Sequence, residues 1–354
     1  MTFSSGWWIL TERADDAVAV EEYHPDMGAE ALELEGSCTQ GGSLRLGFRR
    51  VTFHRRAENF AVYRILVARL GRRMAGVVAV AIKPVELDGR QTHAAFLFDL
   101  RVHPSLRGRG IGQRLSSEAI AWGLGRAEIA YTYTMSDNRA VSYRSALFGA
   151  TDVGSYCYSV IPTRRALPAR IQPARSCFRE VHEAMRGVSG RFDLYADPAA
   201  AMEGSGYVAS WMARSGGSVA GCSAWTNREI LAEVVESVPW PFRVVRSLDR
   251  AFPRVGHRFP RIPRDGEVVS SWYLFDSFST DAALGRDLLR HVASEARGQG
   301  VDYLYLSHSP GDAHARAARR DQLISPLIPY RLLARRRDGA TPRIGRFYVD
   351  VRDL

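Results

Sequence analysis

The N-terminal part of the chain alternates between apolar runs typical of strands and amphipathic stretches typical of helices. Four runs are rich in β-branched and aromatic residues, and these predict strands, with a turn between the second and the third. The predicted strands cover residues 18–23, 60–70, 74–84 and 96–102. Two short helices are predicted between the first and second strands, over residues 26–36 and 44–53.

A longer helix is predicted directly after the fourth strand. Four apolar residues recur there at helical spacing, which places their side chains on one buried face. They are Ile111, Leu115, Ala119 and Trp122. Glycines at positions 123 and 125 predict the end of the helix. A strand over residues 129–135, a polar cap cluster and a short helix over residues 139–147 complete the unit.

A glycine-rich turn lies between the fourth strand and this helix. Residues 107–112 read Arg-Gly-Arg-Gly-Ile-Gly, which matches neither the dinucleotide-binding fingerprint nor the P-loop. Such a turn gathers several main-chain N–H groups and the positive end of the helix dipole at one point, which favours a phosphorylated ligand. The alternative is an ordinary loop that needs glycine for its positive φ angles.

Taken in order, these elements resemble the GNAT superfamily of acyltransferases over roughly the first 160 residues. The resemblance implies that the turn holds the pyrophosphate of acyl-coenzyme A. It also implies that the pantetheine arm follows the end of the preceding strand and contacts an asparagine beyond the next strand. The implied cofactor-binding residues are Leu100, Arg101, Val102, Arg107, Gly108, Arg109, Gly110, Ile111, Gly112 and Asn138.

The stretch after Asn138 departs from the family's pattern. Members often carry a tyrosine six residues after this asparagine, which acts as general acid on the thiolate leaving group. Arg144 stands at that position here, and Tyr143 comes one residue earlier. A shift of one residue turns a helical side chain by about 100°. This turn would direct Tyr143 away from the sulfur, so two candidates stay open: Tyr143 as the catalytic acid, and Arg144 as the group that stabilises the thiolate instead.

The fourth strand carries the candidates for the catalytic base. Strict alternation places Asp99, Arg101 and His103 on one face and the apolar residues between them on the other. Many family members carry an acidic residue near the acceptor amine on this strand, so Asp99 is the first candidate. The alternative is that Asp99 pairs with Arg101 or a neighbouring main-chain group. His103 is the second candidate because of the pKa range of imidazole.

The C-terminal part of the chain repeats these elements without the glycine-rich turn. Residues 273–276 echo residues 96–99, and residues 303–305 echo residues 131–133. The stretch 277–284, where the turn would lie, contains no Arg-x-x-Gly. We therefore predict an α/β (α+β) protein with two tandem GNAT-like domains, each a mixed, mostly antiparallel central sheet flanked by helices, the second degenerate.

The predicted domains cover residues 1–165 and 175–354, with a proline-punctuated linker over residues 162–174. This layout also resembles the plant hookless-type N-acetyltransferase-like proteins, which pair a GNAT domain with a divergent second one. The likeness extends to a last strand predicted over residues 347–354.

Composition narrows the classes of partner. The chain has 48 Lys and Arg against 38 Asp and Glu, a formal net charge of +10, which attracts anions such as coenzyme A or an acidic acyl carrier protein. Its arginine-rich stretches lack interleaved aromatic residues, so we do not expect nucleic acid binding. We expect no membrane segment or signal peptide, no metal site, and free thiols in a reducing cytoplasm.

Two functions remain open at this point. The first is an N-acyltransferase that moves an acyl group from a phosphopantetheine thioester, on coenzyme A or a carrier protein, to an amine of a small molecule or peptide. The second is a non-catalytic protein that binds coenzyme A and docks a partner. The complete turn in the first domain favours the enzyme, since a protein without catalysis would more readily have lost it.

Overall fold

The computed structural model of the chain describes residues 18–38, 45–138, 149–164, 168–197, 206–251, 261–310, 312–322 and 325–353. One large sheet of twelve strands runs through these residues, in the order β1-β3-β4-β5-β6-β14-β7-β13-β12-β10-β9-β8. Neighbouring strands are antiparallel except for two parallel pairs, β5 with β6 and β12 with β13. The predicted mixed, mostly antiparallel fold is confirmed.

The strands of the N-terminal half are β1 (Val18–Glu22), β2 (Arg45–Arg49), β3 (Val62–Leu70), β4 (Arg73–Leu87), β5 (Arg90–Val102), β6 (Ile129–Met135) and β7 (Thr151–Pro162). Those of the C-terminal half are β8 (Ala174–Ser176), β9 (Tyr207–Ser215), β10 (Ser218–Trp225), β11 (Ala232–Ser237), β12 (Ser271–Ser279), β13 (Tyr303–His308) and β14 (Leu327–Arg336). The strand predicted over residues 129–135 therefore has the observed bounds.

The described helices are α1 (Gly28–Gly36), α2 (Ile111–Leu124), α3 (Phe178–Ser189), α4 (Trp240–Ala251), α5 (Ala282–Gly298) and α6 (Ala313–Arg319). Short 3-10 turns cover Pro25–Met27, Phe53–Asn59, Pro104–Leu106 and Val351–Asp353. The short helix predicted over residues 139–147 lies outside the described residues.

Helices pack on both faces of the sheet, and on one face they share the core with a cluster of aromatic residues. Helix α2 packs on β4 and β5 through Ile111, Leu115 and Ala119. Glycines allow the close approach: a Cβ on Gly76 would lie 2.9 Å from the main-chain oxygen of Arg101, and one on Gly123 would lie 2.6 Å from the Cβ of Ala95. In the C-terminal half, α5 buries its apolar face in the same way.

The two halves are interlocked rather than strung in sequence. Strand β14, near the C-terminus, lies between β6 and β7 of the N-terminal half. Strands β2 and β11 form a separate two-stranded sheet. The domain boundaries at residues 165 and 175 stay a prediction, because the large sheet continues across them.

Two predicted elements are wrong. The helix expected over residues 44–53 is strand β2, because its backbone pairs with β11, which is remote in sequence. The last strand expected over residues 347–354 is also absent from the described part of that range. Phe347 makes only a single bridge, to Asp193, and the chain then turns at Val351–Asp353. The last strand of the large sheet is β14 instead.

Both halves share an irregularity in their central strands. Asp99 on β5 has φ +52° and Asp276 on β12 has φ +49°, and at each point the register with the preceding strand shifts by one residue. These are β-bulges. The bulge brings Asp99 to the face that carries Phe98, so the strict alternation predicted for residues 98–103 is wrong.

Candidate active site

The glycine-rich turn leads directly into helix α2. Gly108 and Gly110 have φ angles of +86° and +78°, and no atom lies within 4 Å of a Cβ built on either of them. Gly110 is the N-cap residue and supplies no side-chain hydrogen bond. The first hydrogen bond of the helix runs from Arg114 N–H to the Gly110 carbonyl. The N–H groups of Ile111, Gly112 and Gln113 therefore have no partner within the helix.

Positive charge surrounds this turn. Arg107 and Arg109 are exposed, and Arg107 Nε donates to the Val102 carbonyl oxygen over 3.4 Å. Arg114, in the first turn of α2, is also exposed and pairs with Glu118. Free amides, a helix dipole and exposed guanidinium groups together form a site suited to a diphosphate.

A wedge opens between β5 and β6 beside this site. The two strands pair only from Ala94 to Phe96 on β5. Beyond that point β5 stays with β4 as far as Val102, while β6 follows β14 as far as Met135. Leu100, at the bulge, is 38% exposed. The predicted binding residues Leu100, Arg101 and Val102 thus form one edge of a slot that begins next to the glycine-rich turn.

Asp99 is held in a buried network of ions. Its carboxylate accepts from Arg50 Nη1 at 2.9 Å and from Arg56 Nη1 at 2.7 Å, and Arg50 also pairs with Glu35. Burial alone would raise the pKa of Asp99, but the charges of Arg50, Arg56 and Arg101 hold it well below its usual range. A carboxylate that is so weakly basic is a poor proton acceptor. The geometry favours the structural alternative for Asp99.

His103 lies at the end of β5, away from the bulge. Its Nε2 is 2.6 Å from Arg73 Nη2, and its Nδ1 is 2.8 Å from the Ser105 hydroxyl. The side chain also accepts from the main-chain N–H of Ser105. These contacts fix the ring at the strand end and support a structural role.

The other predicted residues follow strand β6. Asn138 is exposed, and its main-chain N–H donates to the Met135 carbonyl over 3.0 Å. This places Asn138 at the far side of the wedge from Leu100. Tyr143 and Arg144 lie outside the described residues.

The C-terminal half contributes residues that the sequence analysis missed. Glu233 on β11 lies directly opposite Phe48 on β2. The Phe48 ring lies 5.6 Å from the guanidinium carbon of Arg101, at the wedge. Phe48 also belongs to a cluster of tyrosines from β7, β12, β13 and β14. No local signal identifies Glu233, since only the pairing of β2 with β11 brings it here.

The corresponding helix of the C-terminal half begins differently. At α5 the N-cap residue Asp281 accepts from Leu284 N–H at 2.7 Å. A Cβ on Gly285 would collide with the ring of His314 from α6. Side chains of the second half therefore occupy the start of α5, whereas the first half presents open amides at the start of α2.

Comparisons with known proteins agree with this geometry. Residues 28–143 match the family model described as Acetyltransferase (GNAT) family, so this stretch carries a GNAT-type domain. No curated protein matches the chain by sequence.

None of the described helices is long and apolar enough to span a membrane. Within the described ranges, no three His, Cys, Asp or Glu side chains are grouped to hold a metal ion.

Solved structures with the same fold cover most of the chain. N-myristoyltransferase of Saccharomyces cerevisiae with bound myristoyl-CoA has a TM-score of 0.56 at 10% identity, over 94% of this chain and 81% of that one. A tandem GNAT protein from the clavulanic acid biosynthesis pathway has a TM-score of 0.51 at 12% identity, over 91% of this chain and 99% of that one. At such identities the likeness shows the fold alone.

Proposed function

We propose that this chain, whose N-terminal half carries a GNAT domain, is an N-acyltransferase that moves an acyl group from acyl-coenzyme A to an amine. One observation carries the proposal: the open amides at the start of α2 lie beside the wedge between β5 and β6. A diphosphate bound at the turn would direct a thioester arm along Leu100, Arg101 and Val102. The structural neighbour solved with myristoyl-CoA has the same fold.

The chain's own residues would then divide the work of acyl transfer. The turn holds the donor and the wedge aligns its arm, which lowers the entropic cost of reaching the transition state. Main-chain N–H groups at the bulge near Leu100 stabilise the oxyanion of the tetrahedral intermediate. Asn138 contacts the arm, and Tyr143 donates a proton to the departing thiolate. Asp99 fixes Arg50 and Arg56 under the bulge and takes no proton, so the proton that leaves the attacking amine passes to water.

An acyl carrier protein is the second donor that this site could accept. It presents the same phosphopantetheine arm but attaches it through a single phosphate, so it would use fewer of the turn's amides. The open amides from Ile111 to Gln113 match a diphosphate better than a monophosphate. We therefore place acyl-coenzyme A first.

Native mass spectrometry of the purified protein tests the donor. We expect added mass equal to coenzyme A or an acyl derivative, and the acyl length can be read from the difference. A thiol-release assay with acetyl-CoA and a panel of amines then tests turnover. Tight binding without thiol release from any amine would favour the non-catalytic alternative. Absence of any affinity for coenzyme A or its thioesters would refute the site itself.

A further inference from the structure

The almost fully buried acidic residues of this protein are paired with cationic side chains, whereas Glu233 is hydrogen-bonded to tyrosines. Six carboxylates are almost fully buried, and each lies within ion-pair distance of an arginine, a lysine or a histidine. They are Glu35, Asp99, Asp276, Asp287, Asp350 and Asp353. Glu233, which is partly buried beside the wedge, makes no ion pair with any residue that the structure describes. A carboxylate in such surroundings is stabilised by a cation.

The surroundings of Glu233 are aromatic. Its two carboxylate oxygens accept from the hydroxyls of Tyr273, at 2.7 Å, and Tyr305, at 3.2 Å. These rings stack with their centroids 5.0 Å apart, and Tyr158 stands nearly perpendicular to both at 6.1 and 6.3 Å. Burial raises the pKa of Glu233, although both tyrosine hydrogen bonds lower it. Aromatic faces around a carboxylate are the chemistry that recognises an ammonium group.

The N-terminal half shows such a site with its cation in place. Lys83, the only lysine of the chain, is buried, with its ammonium 5.7 Å from the ring centre of Phe96 and 5.9 Å from those of Phe60 and Tyr131. The same ammonium pairs with Asp350 at 2.7 Å and Asp353 at 2.5 Å. The Tyr131 hydroxyl donates to Asp353, as the Tyr273 hydroxyl does to Glu233.

The internal repeat relates these two clusters. Tyr273 corresponds to Phe96, and residues 303–305 correspond to residues 131–133. Counted from the bulge, the position that corresponds to Lys83 is 227, two residues beyond the end of β10, and it holds the uncharged Asn227. The C-terminal half therefore has aromatic rings and a carboxylate that comes from a different element, β11, but it has no lysine to complete the cluster.

We propose that Glu233, with the rings of Tyr158, Tyr273 and Tyr305, binds the positively charged amine of the acceptor substrate. The inference rests on the proposed function, and it deepens it: the degenerate half supplies acceptor recognition while the first half holds the donor. Phe48 links the two places, since it lies opposite Glu233 and against Arg101 at the wedge. The acceptor is accordingly an alkyl- or arylalkylamine that binds as its ammonium ion and loses a proton to water before it attacks, and neutral or anionic analogues bind more weakly.

Isothermal titration of the full chain with matched pairs of small ligands tests this inference. Phenethylamine and hexylamine are compared with phenethyl alcohol and hexanol, which have the same shapes without the charge. We expect each amine to bind at least about tenfold more tightly than its alcohol. In Glu233→Gln the amines should lose about tenfold or more, while the alcohols keep their affinity within about twofold. Glutamine still accepts from Tyr273, so the variant should fold.

Glu236→Gln provides the control, because Glu236 lies on the same strand, is exposed, and carries the same charge. It should leave the preference for amines unchanged. Equal affinity of the wild type for amines and alcohols, or an equal loss in both glutamine variants, would overturn the inference.

Titration with acetyl-CoA separates this inference from the proposed function. If acetyl-CoA binds but the preference for amines is missing, the proposed role of Glu233 is wrong and the proposed donor site is still supported. If the preference depends on Glu233 but acetyl-CoA does not bind, the cation site stands and the proposed acyl transfer fails.

Discussion

Helices α2 and α5 follow the bulged strands of the two halves, but they begin in opposite ways. At α2 a glycine with positive φ caps the helix and leaves the first amides open. At α5 the carboxylate of Asp281 accepts from one of those amides, and His314 packs against Gly285. A phosphate would be attracted by the open amides at the start of α2. At the start of α5 it would be repelled by the Asp281 carboxylate and blocked by the His314 side chain.

This contrast shows how a fold can be kept while its ligand site is lost. The bulge, the parallel strand pair and the packing of the helix recur in both halves. None of these features needs the ligand, because they satisfy main-chain hydrogen bonds and bury apolar side chains. The difference lies in a few residues between strand and helix, where a capping carboxylate stabilises the helix that a phosphate would otherwise complete.

The bulge aspartates give the largest expected difference between the halves. Asparagine tolerates positive φ almost as well as aspartate does, so Asp99→Asn and Asp276→Asn change the charge and leave the backbone intact. Asp99→Asn leaves Arg50 and Arg56 buried with one carboxylate fewer, and should cost about 3–5 kcal/mol of the free energy of unfolding. Asp276→Asn faces His182 and the Tyr348 hydroxyl, to which an amide can still hydrogen-bond, and should cost only about 1 kcal/mol. Urea denaturation measures both, and equal costs would contradict the contrast.

The donor site should be lost when α2 is given an aspartate at its N-cap, as α5 has. Gly110→Asp places a carboxylate at the N-cap of α2, where it competes with a phosphate for the same amides. We expect the affinity for acetyl-CoA to fall about 100-fold or more, equal to about 2.7 kcal/mol. Isothermal titration measures the loss.

A matched control is available at Gly71, which also has positive φ, with no atom within 4 Å of an added Cβ. Gly71→Asp introduces the same charge and the same backbone strain at the turn between β3 and β4. It should keep the affinity for acetyl-CoA within about twofold. If the two variants bind equally well, the diphosphate is not held at α2.

Acid should weaken the protein through Asp99. Because neighbouring arginines depress its pKa in the folded state, this carboxylate contributes stability above its unfolded pKa of about 3.9, and the contribution is lost as the pH falls below that value. One such group changes the free energy of unfolding by about 1.4 kcal/mol per pH unit in that window. Below about pH 4, the slope of the free energy of unfolding against pH should be smaller in Asp99→Asn than in the wild type, by this amount. An unchanged slope would show that another group is responsible.

Local patterns predicted the elements that depend on local sequence. The helix starting at Ile111 and the strand over residues 129–135 appear where the periodicity places them. The residues at 44–53 were misjudged because their partner strand β11 is far away in the sequence, and pairing overrides a short run's own preference. Alternation failed at Asp99 because a bulge adds a residue that no pattern of apolar positions reveals.

The donor and acceptor sides of the site also differ in how far the local sequence predicts them. The turn over residues 107–112 is a continuous segment between a predicted strand and a predicted helix, so local sequence was enough to predict a phosphate site there. The charges around Asp99 come from Arg50 and Arg56, and Glu233 comes from the other half of the chain. Only tertiary structure shows that Asp99 is paired with arginines, and that Glu233 makes no ion pair among the residues that the structure describes.

The smallest expected effect comes from removing the N-cap side chain of α5. Asp281→Ala removes the cap of α5 and should lower the free energy of unfolding by about 1 kcal/mol. Asp281→Ser removes the charge but keeps a capping oxygen, so it should stay within a few tenths of a kcal/mol, about 0.3, of the wild type. Neither change should create a second donor site, because His314 still packs against Gly285. Titration with acetyl-CoA in a Gly110→Asp background checks this, and restored binding there would mean that the charge of Asp281 alone keeps the second half inactive.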